Sequence, residues 1–274
     1  MYQTIKQDQL VLLGVCSDEN SSFKSGCASA PPLIRKALHN GSANLCTENG
    51  IDLADQQLLN DIGDFNIEPG VESFMSIETI ISKIQDQGGL PLTIGGDHAI
   101  TYPIVKALAK HHQSITILHF DAHPDLYDQL DNNPLSHACP FARIMESSLA
   151  SRLVQVGIRT MNPHQKSQQQ KFAVESHEMA SFDLASFKPE LCGPVYISFD
   201  LDALDPAFAP GVSHFEPGGL SVREVLKIIQ SIEVPIIGAD IVEYNPSHDI
   251  NGMTAMVAAK LVKEIGGMIL STNS

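Results

Sequence analysis

Six short runs, apolar at odd and even positions alike, constrain the fold of this chain more than any other feature. They are Leu10–Val15, Leu90–Ile94, Ser114–Phe120, Leu153–Val156, Val195–Ser198 and Pro235–Val242. A strand with one wet face alternates apolar and polar residues, whereas a strand that is apolar throughout is covered on both faces, as parallel strands are. Between the runs, amphipathic stretches predict helices over Pro31–His39, Glu72–Gln87, Ile100–His111, His137–Glu146, Val222–Ser231 and Met253–Ile265. Ser221, with Glu224 three residues on, makes a capping box for the fifth of these. The alternation predicts a single-domain, three-layer α/β/α fold over residues 1–274, with a mostly parallel central sheet. No repeat, low-complexity tract or long linker divides it.

The chemistry-bearing residues cluster just after these strands, in Gly95–His98, Asp121–Asp125, Asp200–Asp205 and Glu243–Pro246. Parallel sheets bind ligands at the carboxyl ends of their strands, so four separate segments are expected to converge on one edge. In HFDAHPDLYD, Asp121 and His123 continue a strand with period two, so their side chains point the same way, and Asp125 follows Pro124 on a turn. The plainer reading is an Asx-turn with a buried histidine. In YISFDLDALDP, Asp200 and Asp202 alternate with Phe199 and Leu201, and two such acids are costly to bury unless paired or metal-bound. Asp205, before Pro206, reads as a turn residue. In TIGGDHAI, two glycines permit close backbone approach before His98, and Asp97 reads equally well as an N-cap.

Together these segments offer His98, Asp121, His123, Asp125, Asp200 and Asp202 as ligands. The four carboxylates balance two divalent ions, and an oxygen- and imidazole-rich set without thiolate leans toward manganese. Paired ions of this kind lower the pKa of water and make a nucleophile at neutral pH. A net charge of −15, from 17 basic and 32 acidic residues, disfavours nucleic acid and anionic membranes as partners and favours cations. Five scattered cysteines with no CxxC pair suggest reduced thiols, hence a cytoplasmic protein. The N-terminal residues carry no visible secretory signal, and Lys260, Lys263 and Glu264 make the C-terminal helix too charged to span a bilayer.

The segments GGDHAI, DAHPDLYD and SFDLDALDPAFAPGV closely resemble the signatures of the ureohydrolase (arginase–agmatinase) family. The similarity covers nearly the whole chain. SHACPFARIME, VGIR, GVSHFEPGGLS and GADIVEYNP look most like the plant agmatinase-like arginases and their bacterial relatives. The resemblance implies an arginase-like fold and two Mn²⁺ ions per subunit. One would be held by His98, Asp121, Asp125 and Asp200, the other by Asp121, His123, Asp200 and Asp202, with a bridging hydroxide attacking the guanidinium carbon. It also implies that Glu243 grips the guanidinium and that His137, at the mouth of the site, contacts substrate or shuttles protons. Asp125 or His137 would give the leaving amine its proton. A homo-trimer or homo-hexamer is expected on the same ground.

The substrate is left open between arginine and agmatine, with a guanidino acid such as 4-guanidinobutyrate as a further alternative. Asn162 stands where animal-type arginases resemble one another in having an aspartate for the α-ammonium, and the Tyr127–Ser136 loop also departs from the arginase pattern. Two other readings use the same features. A metallophosphatase would bring a GNHE-like segment and more histidines, and an inactive scaffold would lack a ligand. Neither departure occurs.

Overall fold

A computed structural model describes residues 4–274 except 71, 186 and 188. In chain order the elements are β1 (Leu10–Cys16), α1 (Ala30–Leu38), β2 (Leu59–Asn66), α2 (Ser73–Asp86), β3 (Leu90–Ile94), α3 (Thr101–Leu108), β4 (Thr116–Phe120) and α4 (Pro140–Glu146). They continue with β5 (Arg152–Ile158), α5 (Pro163–Lys171), β6 (Glu175–Glu178), β7 (Val195–Asp200), α6 (Val222–Gln230), β8 (Ile236–Val242) and α7 (Met253–Thr272). The strands form one sheet of eight, in the order β2-β1-β3-β8-β7-β4-β5-β6, and every neighbouring pair is parallel.

Alternate residues of each strand feed opposite cores. Leu10, Leu12, Leu92 and Phe199 pack with α1, α6 and α7. Val11, Leu13, Ile117 and Tyr196 pack with α2, α3 and α4. All six apolar runs are strands of this sheet. The two edge strands, LNDIGDFN and ESHE, lack the pattern because each has a neighbour on one side only and keeps contact with water. Helix α5, PHQKSQQQK, also lacks apolar periodicity, since the residues it buries are Gln165 and Gln168.

Several expected boundaries move. The strand expected from Ser114 begins at Thr116, because Ser114 has a left-handed backbone (φ 56°). The helix expected from His137 begins at Pro140. A proline fits the first helical position and disfavours helical backbone in the residue before it. The helix expected over Ile100–His111 is a 3-10 turn, His98–Ile100, followed by Thr101–Leu108. The last helix runs past Ile265 to Thr272, through Gly266-Gly267. The glycine at 267 has a steric reason: a Cβ there would lie 2.5 Å from Thr47 Cγ2. Among the described residues no helix is long and apolar enough to cross a membrane.

The strand order separates β3 from β4 by β8 and β7, although the two are consecutive along the chain. Such a break in sequential order opens a crevice at the carboxyl ends of the strands. The four segments singled out in the sequence follow β3, β4, β7 and β8, the four adjacent central strands.

Candidate active site

His98 is placed by the turn after β3. Asp97 accepts a hydrogen bond from Ala99 N at 3.1 Å and caps that turn, as its sequence position suggested. A Cβ on Gly96 would lie 1.6 Å from the Ser17 carbonyl oxygen, so glycine is required for this close approach. His98 Nδ1 then stands 3.2 Å from Asp121 Oδ2, 3.1 Å from Asp125 Oδ2 and 3.3 Å from Asp200 Oδ2. His123 Nδ1 stands 3.3 Å from Asp121 Oδ1 and 3.0 Å from Asp202 Oδ2. The two oxygens of Asp121 therefore face two different histidines. All six residues expected as ligands come together, although β4 stops at Phe120 and Asp202 lies in a 3-10 turn beyond β7.

Hydrogen bonding fixes which nitrogen of His98 is free. Asp240, buried on β8, accepts from Ser198 Oγ (2.8 Å), Thr101 Oγ1 (2.8 Å) and Tyr196 Oη (2.6 Å). Ser198 has donated its one proton, so its oxygen accepts from His98 Nε2–H at 2.9 Å. The Nδ1 lone pair of neutral His98 then points among three carboxylates, with no hydrogen-bond partner of its own. A proton on Nδ1 or a metal ion between these groups relieves that arrangement.

The electrostatics agree. Burial opposes a charge on His98, yet Asp121, Asp125 and Asp200 raise its pKa well above the usual histidine value. Burial, with Asp202 and Asp121 nearby, raises the Asp200 pKa well above the usual range. Asp121 is held well below that range: burial opposes this, and His119, His123 and His98 outweigh it. Crowded carboxylates that cannot all ionise unaided, beside imidazoles that attract protons, make a donor set suited to divalent ions. Potential ion-holding groups are His98–His119–Asp121 and Asp121–His123–Asp202, which share Asp121.

His119 went unassigned in the sequence, although it alternates with Asp121 along HFDAH. Gln155 Nε2 donates to the Pro124 carbonyl (2.7 Å), which sets the orientation of its amide, and also to His119 Nδ1 (3.0 Å). His119 Nε2–H must therefore donate to Asp121 Oδ2, at 2.9 Å. It supports the aspartate rather than offering a lone pair to an ion. Asp240 was missed too, although an acid inside an apolar strand always calls for partners. Asp205 is the turn residue expected, accepting from Ala207, Gly218 and Gly219 N–H.

Glu243 follows β8 with a left-handed backbone (φ 64°). Its Oε1 accepts from His98 N (2.9 Å) and faces His137 Nδ1 (2.8 Å), and Cys27 Sγ lies 3.5 Å from Oε2. Burial opposes ionisation of Glu243, but His137 and these hydrogen bonds bring its pKa down to about 2. Burial likewise disfavours the His137 cation, but Glu243 pushes its pKa up to about 9. His137 lies in the loop before α4, with its backbone N bonded to Asn20 O and its Nε2 2.8 Å from Ser22 Oγ.

A cavity of about 240 Å³ opens over the cluster, walled by Ser22, Tyr127, His137, Thr160, Gln165 and His214 among others. Asn162 is not part of this wall. Its Oδ1 caps α5 by accepting from Gln165 N, and its Nδ2 donates to the Tyr127 hydroxyl.

An all-parallel sheet carrying a carboxylate–imidazole cluster under a cavity at its carboxyl edge defines an α/β protein built around a metal-type site. Residues 8–267 match the model of the arginase family. The chain is 48% identical to arginase 1, mitochondrial, of Arabidopsis thaliana, over 94% of this chain and 80% of that protein. It is 37% identical to the guanidino acid hydrolase, mitochondrial, of Homo sapiens, over 92% of this chain and 76% of that protein. The solved arginase of Medicago truncatula superposes with a TM-score of 0.91 at 43% identity, covering 96% of this chain and 87% of that one. The chain belongs to the arginase family, whose members are hydrolases acting on guanidino C–N bonds.

The mitochondrial naming of these relatives overturns the cytoplasmic expectation. That expectation rested on unpaired cysteines, and all five are indeed free, but free thiols report a reducing environment and not a compartment.

Proposed function

We propose that this protein cleaves the guanidino group of arginine or agmatine to urea and ornithine or putrescine, using two Mn²⁺ ions. The observation that carries the proposal is the sharing of Asp121 between His98 (3.2 Å) and His123 (3.3 Å). His98, Asp121, Asp125 and Asp200 would hold one ion, and Asp121, His123, Asp200 and Asp202 the other. Bound there, the ions would supply hydroxide at neutral pH, the potent nucleophile that a resonance-stabilised guanidinium requires.

The side chains supply the rest. Glu243, ionised and buried, offers carboxylate oxygens to the planar cation and holds it by charge-assisted hydrogen bonds. To do so it exchanges its His137 contact for substrate N–H groups. Before substrate enters, Glu243 raises the His137 pKa to about 9, so that His137 brings a proton to the site within reach of a departing amine. Asp125, at the cavity wall, is the second group able to pass a proton there. The substrate is thus a small guanidinium cation, drawn to an acidic protein.

The test is urea release from arginine and agmatine after Mn²⁺ loading, with metal content measured on the same sample. Urea from at least one substrate and two ions per chain are expected. Absence of urea from both would refute the reaction, and a single tightly bound ion per chain would refute the two-ion assignment.

A further inference from the structure

Beyond the cluster, one wall residue has an unspent hydrogen-bonding group. Gln165 is 3% exposed, lines the cavity, and sits on α5 just past the Asn162 cap. Its Oε1 accepts from Leu126 N at 3.0 Å. Because an N–H must face an oxygen, the carboxamide can be placed only one way round. Its Nε2 is left with two hydrogens and no partner among the described residues. That donor pair opens onto the cavity, where the acceptor of a bound ligand can take the place of water.

Tyr127, beside it in the same wall, is set up alike. Its hydroxyl oxygen accepts from Asn162 Nδ2, and its ring stacks on His164 with centroids 5.4 Å apart. With that contact spent on the oxygen, the phenolic proton is free to donate. The remaining hydroxyls of the wall are engaged. Ser22 Oγ lies against His137, Thr160 Oγ1 donates to Ala122 O, and Ser213 Oγ donates to Lys24 O. Among the described residues no lysine or arginine lines the cavity. The groups of Gln165 and Tyr127 left over are thus neutral donors, which suit an anionic or strongly accepting substituent better than an ammonium.

We propose that Gln165, with Tyr127, is the specificity-determining pair, and that it selects a guanidino compound carrying a carboxylate at its far end, as arginine does, over one that carries only an amine, as agmatine does. This rests on the guanidino-hydrolase reading above. Asn162 is then a positioning residue, acting through the Tyr127 hydroxyl and the N-terminus of α5.

The experiment compares arginine with agmatine by kcat/KM in the Mn²⁺-loaded protein, and separately compares binding of the products ornithine and putrescine by calorimetry. Gln165→Glu keeps an oxygen for Leu126 N–H but replaces the two donors with an acceptor. The arginine-to-agmatine ratio should fall about 10- to 100-fold, the size of a lost hydrogen bond to a charged group, and ornithine affinity should fall relative to putrescine by a similar factor. Tyr127→Phe keeps the ring stack and should move both ratios the same way by a smaller factor. Equal loss on both substrates, or wild-type binding of putrescine as tight as ornithine, would overturn the proposal. If neither substrate gives urea, the reaction fails, and the product-binding comparison still decides the tail-recognition claim.

Discussion

The two ends of the cavity are built from opposite materials. The cluster end stands on the carboxyl termini of β3, β4, β7 and β8, the middle of the sheet, where a network of hydrogen bonds orients the side chains and leaves the His98 Nδ1 lone pair facing the carboxylates. The tail end stands on α5 and the loop after Asp125, a helix that buries glutamines instead of apolar residues, and it keeps donors in reserve. The reaction centre needs charges held in place against their own repulsion. The recognition end needs groups held in place but unspent.

The contrast is broken most severely by removing the shared aspartate. Asp121→Asn takes away the charge and one of the two carboxylate oxygens, of which Oδ2 faces His98 and His119 and Oδ1 faces His123. Urea release should fall by about 10³-fold or more, since several kcal/mol of transition-state stabilisation is lost at about 1.4 kcal/mol per decade. Bound metal should fall with it. A variant that keeps two ions and full turnover would show that the shared position does not organise the centre.

One layer out, His119→Phe removes the Nε2–H that orients Asp121 but keeps a ring packed on Phe141, whose centroid is 3.9 Å away. Residues that orient ligands change metal affinity by about 10- to 100-fold when lost. Faster manganese loss to a chelator is therefore expected, with a smaller effect on turnover at saturating metal. Unchanged chelator kinetics would mean that the Gln155–His119–Asp121 chain is packing alone.

The same contrast governs what could be read from the sequence. The interior strands were legible because burial on both faces removes polar residues, and the six cluster residues because charged residues at the ends of such strands need a reason to be there. The edges β2 and β6 were not, since water satisfies one side of them. Helix α5 was not either: Gln165 and Gln168 carry no apolar period, so the recognition wall gave no signal beyond the Tyr127–Ser136 loop, with Asn162 before Pro163 marking the neighbouring helix start. Asp240 and His119 were visible but unweighed. Each places a polar side chain inside an apolar strand, the condition under which partners are obligatory.

The pair that joins the two ends titrates. His137, raised to about 9, contributes stability that is complete below its ordinary value near 6.5 and is lost as pH rises through 9. Glu243, lowered to about 2, contributes stability that is complete above its ordinary value near 4.5 and is lost as pH falls through 2. Their mutual support is therefore full between about pH 4.5 and 6.5 and declines on the alkaline side first. In His137→Asn the Tm deficit relative to wild type should be largest near pH 6 and should shrink toward pH 9.5. A deficit independent of pH would assign His137 a packing role instead of a charged one.

The smallest effect should come from a site that belongs to neither end. Ser221 caps α6 reciprocally with Glu224: Ser221 Oγ accepts from Glu224 N (3.2 Å) and Glu224 Oε2 accepts from Ser221 N (2.7 Å). The helix it starts buries Val225, Leu226, Ile228 and Ile229 in the core on the far side of the sheet from α3 and α4. Ser221→Ala leaves one N–H without its side-chain acceptor, which costs about 1 kcal/mol and lowers Tm by roughly 2–4 °C. Because the cap touches neither the cluster nor the cavity wall, kcat/KM for arginine and agmatine should stay in their wild-type ratio. A shift of that ratio by a distant cap would mean that the tail wall moves independently of the strand-borne cluster, and that the two ends are less firmly joined than a shared sheet requires.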